Sequence, residues 1–191
     1  MKHVISLLAA ALLIASPMYG GAGYFDSFTI IETAFYDLGA STSNDNFDGY
    51  YLGEFNIDDT LSIGGQIKTY KYGGTDVYGA DLYYSFHEVG SSPSFSGVGY
   101  SWEANLFAAG DQQWGSTSDA TVTLSEVGNY ELTIYVAVGT NGFEADNYIY
   151  DNNFGSNYTA LLTVVPEPSS YALIGSLFAL GSIVLRRKVR S

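Results

Sequence analysis

Apolar and polar residues alternate with a period of two along short stretches of the chain, and turn residues separate those stretches. Tyr130, Leu132, Ile134, Val136 and Val138 fall on one face of a predicted strand, with Glu131, Thr133 and Tyr135 on the other. Leu82, Tyr84 and Phe86 oppose Asp81, Tyr83, Ser85 and His87, and Val122 and Leu124 alternate with Thr121, Thr123 and Ser125. Tyr158, Ala160, Leu162 and Val164 form a last strand. Further strands are expected over Thr29–Tyr36, Tyr50–Ile57, Thr60–Ile63, Gln66–Tyr72 and Trp102–Phe107. Turn signals stand at Asp48-Gly49, Gly64-Gly65, Gly73-Gly74, Ser91–Ser96, Gly128-Asn129 and Asn141-Gly142. No stretch keeps a 3.6-residue period. The pattern predicts an all-β domain over residues 23–164, a single β-sandwich or jelly roll.

Two apolar runs at the ends break this rule. Met1–Ala22 reads as a signal peptide: Lys2 supplies the positive start, Val4–Ala15 the apolar run, and Gly20-Gly21-Ala22 a small-residue cleavage site. At the other end, Val165-Pro166-Glu167-Pro168 precedes an uncharged run, Tyr171–Leu185, and then Arg186, Arg187, Lys188 and Arg190. The prolines fix φ and remove backbone donors, so neither helix nor sheet continues through them. At about 1.5 Å per residue the run makes a helix of roughly 22 Å, which snorkelling arginines extend across the hydrocarbon core. The basic end at residues 186–191 is expected to stay inside and the domain outside.

The order Pro-Glu-Pro, short apolar helix, Arg-Arg resembles the PEP-CTERM sorting signal of Gram-negative bacteria, over Val165–Ser191. The resemblance implies an exosortase, a membrane protease-transpeptidase, as processing partner, and association with exopolysaccharide or biofilm matrix. An anchor that is never cut is the competing reading.

Composition narrows the function classes. There is no cysteine, so no disulfide staples the exported domain and thiol chemistry is excluded. Of 20 acidic residues only Glu167 lies outside the domain, whereas of seven basic residues only Lys68 and Lys71 lie within it. The domain therefore carries a net charge of about −17 with histidine neutral, which argues against nucleic acid as a partner. The 17 tyrosines and 22 glycines suit β structure.

Catalysis has little to stand on. His87 is the domain's lone histidine, and the chain has no nucleophile elbow, Walker loop or zinc-protease motif. With so many carboxylates, a pair at glycosidase spacing carries no information. The domain is read as non-enzymatic. Asn44, Asn46 and Asp48 place oxygen side chains at alternate positions before Gly49, as a hard-cation loop requires, and make Ca²⁺ the one candidate cofactor. Asp146–Asn153 is a second acidic loop of that kind.

Several short segments, in order, resemble a β-sandwich module of secreted bacterial proteins that often accompanies carbohydrate-active domains. They are Ile67–Lys71, Gly79–Tyr84, Trp114, Gly128–Leu132, Tyr150–Asn153 and Asn157-Tyr158. The Asp-Asn-Asn and Asn-Tyr pieces are similar to the end of starch-binding modules, with Tyr150 standing where those usually carry Trp. The resemblance makes Trp114, Tyr150, Asp151, Asn152 and Asn153 candidate glycan contacts. Against this, Trp102 and Trp114 are expected in or half within the core. The function read from these parts is an exported surface or matrix protein, anchored briefly in the membrane and then left in the envelope or extracellular matrix. A secreted carbohydrate-binding module or glycan-active enzyme, or a calcium-dependent adhesin, is the alternative.

Overall fold

The computed structural model describes residues 21–39, 44–106, 110–141 and 147–167. The leader up to Gly20, Pro168, the run 171–185, and Arg186 and Arg187 lie outside the described residues. Twelve strands account for the described chain: β1 Gly21–Ile31, β2 Ala34–Leu38, β3 Asp45–Asn46, β4 Tyr51–Asn56, β5 Thr60–Tyr72, β6 Val77–Glu88, β7 Ser96–Asn105, β8 Gln112–Ser116, β9 Ala120–Thr123, β10 Gly128–Thr140, β11 Tyr148–Asp151 and β12 Tyr158–Val165. One 3-10 turn, Asn153–Gly155, precedes β12. Among the described residues no helix is long and apolar enough to cross a membrane.

The domain is all-β. The strands form one hydrogen-bonded path, β3-β2-β1-β5-β8-β7-β6-β10-β12-β4, with β9 added to β5 and β11 to β10. Strand β7 joins its halves: residues 96–99 pair with β6, and residues from Tyr100 onward pair with β8. The sheet curls there into a half-barrel whose inner face closes on one core. β4 runs parallel to β12 and β3 parallel to β2, so the sheet is mixed.

The expected alternation holds on the long strands. Tyr130, Leu132, Ile134, Val136 and Val138 are all buried, as are Tyr158, Ala160, Leu162 and Val164. Three expectations fail. The strand expected over Thr29–Tyr36 is cut at Glu32–Thr33, where Glu32 takes φ 58 and β2 folds back on β1. Gly64-Gly65 is no turn but the middle of β5, because large neighbours lie where side chains would otherwise stand. Gly128-Asn129 likewise opens β10 rather than a turn. The tryptophans divide. Trp114 is buried, 7 % exposed, and its Nε1–H donates to Thr69 Oγ1 at 3.2 Å, while Trp102 is 52 % exposed. β1 also begins at Gly21, with Gly21 and Ala22 already opposite Tyr72 and Lys71.

Candidate functional site: a groove between two strand edges

Gly21–Asp26 of β1 pair with β5 on one side, and β2 begins on the other side only at Ser27. β11 pairs with β10 through Val136–Gly139. Between these strands lies a groove of about 550 Å³. β1 contributes Tyr24, Phe25, Asp26 and Ser27, β11 contributes Tyr150 and Asp151, and the 3-10 turn contributes Asn152, Asn153 and Phe154.

Asp151 forms the floor and is 2 % exposed. Ser27 Oγ donates to its Oδ2, and Tyr158 Oη donates to its Oδ1 at 2.5 Å. Tyr24 is a third hydroxyl partner. Burial raises the Asp151 carboxyl above its usual value, outweighing the three hydroxyl bonds that lower it. Tyr24 is pushed up to about 12, first by burial and then by the Asp151 charge. Tyr158 is raised by the same two causes together with its bond to Asp151. This carboxylate ties β1, β11 and β12 together.

The rim is different. Phe25 and Tyr150 are exposed, and Phe154 projects fully into solvent. Phe154 also sits in the left-handed region, φ 56 and ψ 32, within a run that includes Asn153 at φ 49, Gly155 at φ 93 and Asn157 at φ 59. A phenylalanine there costs about 1–2 kcal/mol that asparagine and glycine largely avoid. The turn is held against that cost by Asn152 Oδ1, which accepts from Gly155 N at 3.0 Å, and by Asn153 Nδ2, which donates to Asn157 O at 3.2 Å.

Asn153 Nδ2 also reaches Asp48 Oδ2 at 3.1 Å, while Asp48 Oδ1 accepts from Thr159 N at 3.0 Å. The candidate calcium loop and the candidate glycan turn are therefore one structure. Asn46 Oδ1 accepts from Asp48 N at 3.2 Å, and Asn44 donates to both oxygens of the buried Asp37. Among the described residues no three acids or histidines gather as metal ligands. The chain matches no protein-family model and no curated protein.

Of the five candidate glycan contacts, the fold brings Tyr150, Asp151, Asn152 and Asn153 to the groove. Trp114 is in the core on β8 and forms no part of it. The sequence reading missed Tyr24, Phe25, Asp26 and Phe154. Three of them lie beside the supposed leader cleavage site, where a strand was not expected. Phe154 follows the Asp-Asn-Asn signal directly, and an aromatic between Asn and Gly in a turn was the available clue. His87 is elsewhere, with Nε2 3.2 Å from Glu131 Oε2 on the outer face of β6 and β10.

Proposed function

We propose that the chain is an exported, non-enzymatic surface or matrix protein that holds polysaccharide in this groove and is sorted through its C-terminal tail. The facing halves of the curled sheet are read as a sandwich of jelly-roll type. The observation that carries the binding role is Phe154, an exposed aromatic kept in a costly conformation beside Phe25 and Tyr150. Aromatic faces stack on sugar C–H surfaces, and the amides of Asn152 and Asn153 supply the polar lining that hydroxyls need. The groove's two carboxylates are both engaged, Asp26 with Lys68 Nζ at 3.1 Å and Asp151 with hydroxyls. That favours binding over acid-base chemistry. Phe154→Ala is expected to weaken retention on polysaccharide about tenfold, a stacking interaction's worth, with no loss of thermal stability. Affinity electrophoresis against a panel of neutral glucans and bacterial exopolysaccharides measures it. Unchanged mobility across the panel rules the groove out.

For the sorting role, β12 ends at Val165, whose carbonyl accepts from Ile57 N at 2.8 Å, and Pro166 and Glu167 leave the sheet. A cut beyond Val165 removes no paired strand. Changing Pro166-Glu167-Pro168 to three alanines is expected to leave an uncut, membrane-retained form. Alanine lets a helix from Tyr171 grow backwards over the backbone that a protease must read. Mass measurement of the mature C-terminus in a native host checks this. An intact Ser191 in the unaltered protein leaves the tail as a plain anchor.

A further inference from the structure

Tyr150 belongs to the groove rim, yet its ring also continues onto the outer face formed by β6, β7, β10 and β11. Its centroid lies 6.5 Å from that of Tyr135 and 6.1 Å from that of Tyr148. On this face the register sets Asp81 between Gly99 of β7 and Ala137 of β10, with Tyr150 opposite Ala137 on the far side. The neighbours of Asp81 across both strands are thus small. A Cβ built on Gly99 would stand 3.7 Å from Asp81 Oδ1. Tyrosines follow on the same face, and Tyr83 is close enough to feel the Asp81 charge. Tyr83, two residues along β6, stacks on Tyr135 at 4.9 Å with 8° between the planes. Tyr148, opposite Gly139 on β11, shares a hydrogen bond with Tyr78, whose ring covers Gly139 in the space a Cβ would take.

Among the described residues, this half-buried carboxylate on a tyrosine-rich face lacks a protein cation. Lys68 is paired with Asp26, Lys71 with Asp76, and His87 with Glu131. Burial raises the Asp81 carboxyl, a sign that its charge is poorly compensated here. Tyrosine faces carry negative potential and attract cations, and a carboxylate beside them strengthens that attraction.

We propose that Asp81, Tyr78, Tyr83 and Tyr148 hold an organic ammonium group, that of an amino sugar on the polysaccharide that leaves the groove across Tyr150. The inference rests on the polysaccharide reading and sharpens it to polymers bearing free amino groups. Charge complementarity chooses that occupant, since a domain of net charge near −17 draws cationic polymers and the site fixes one of their ammonium groups.

The full chain is compared on a glucosamine polymer with free amino groups, on its fully N-acetylated form and on a neutral glucan. Asp81→Asn is expected to weaken retention on the amino polymer about tenfold and to leave the N-acetylated form unchanged. Tyr148→Ala acts in the same direction. Glu126→Gln, which removes one charge from an exposed loop before β10, is expected to change retention less than twofold. Equal effects of Asp81→Asn and Glu126→Gln overturn the inference, because diffuse acidity would then account for the binding. If glucan binding is lost in Phe154→Ala while the two charge variants behave alike, the groove stands and the ammonium site falls. If Asp81→Asn loses the amino polymer selectively while Phe154→Ala is unaffected, the ammonium site stands and the groove falls.

Discussion

Asp151→Ala lowers the stability of the folded domain by about 3 kcal/mol, because three hydroxyls lose one buried acceptor. Ser27, Tyr24 and Tyr158 all turn towards that carboxylate, and Ser27 is itself buried. Each stranded donor costs about 1–3 kcal/mol, reduced where water enters from the groove. For a domain of this size the loss is roughly 10 °C in Tm. Asp151→Asn keeps one acceptor oxygen and carries no charge, so it costs less at neutral pH. The pH dependence has a definite sign. Burial raises the folded carboxyl above its unfolded value of about 3.9, so the folded state binds its proton more tightly. The stability this confers is fully present below the unfolded value and is lost as pH rises through the folded one. The unaltered protein should therefore gain on Asp151→Asn as pH falls from 7 towards 4. Urea melts across that range read the gap, and a gap that stays constant refutes the assignment.

Gly65→Ala costs about 3 kcal/mol, near the upper end for overpacking, although it adds a single methyl group. The new Cβ would lie 2.8 Å from Phe28 O on β1 and 2.9 Å from Leu82 Cδ1 on β6, and nearer still to Tyr100 Oη on β7. None of the three moves cheaply. One is backbone, one is a fully buried leucine, and Tyr100 is held in the core. Gly64→Ala, one residue away, points to the other face and meets Asp119 Oδ1 and Ser116 Oγ. Asp119 accepts exposed hydrogen bonds from Ser62 and Ser116, and Ser116 Oγ accepts a long one from Gly65 N at 3.3 Å, so both side chains can rearrange. Its cost should stay below about 1 kcal/mol, helped by the lower entropy of the unfolded alanine chain. Thermal or urea melts of the two variants side by side decide it. Comparable losses would mean that the curl of the sheet does not press Tyr100 onto β5.

These two glycines also show where sequence reasoning reaches its end. Alternation along β10 and β12 declares which side chains face the core, because side-chain direction flips at each residue and burial rewards one face. That information is local. It suffices for the all-β class, for the inner residues of the long strands and for a fold without disulfides. A Gly-Gly pair reads locally as a turn, yet Gly64 and Gly65 lie inside β5 because Tyr100, Leu82 and Phe28 need the room. Those neighbours come from three other strands.

The groove follows the same division. Its Asp-Asn-Asn piece stands out in the sequence as an acidic loop and by resemblance to the end of starch-binding modules, and in the fold Asn152 accepts from Gly155 N of its own turn. That Asn153 meets Asp48, 105 positions away, and that Asp151 meets Ser27, 124 positions away, had no local signature. Sequence by itself determined the all-β class, the buried faces of β10 and β12, and the apolar and basic ends. Tertiary structure alone decided the partners, since strand pairing is settled by the packing of distant segments and by where a curled sheet leaves an edge open.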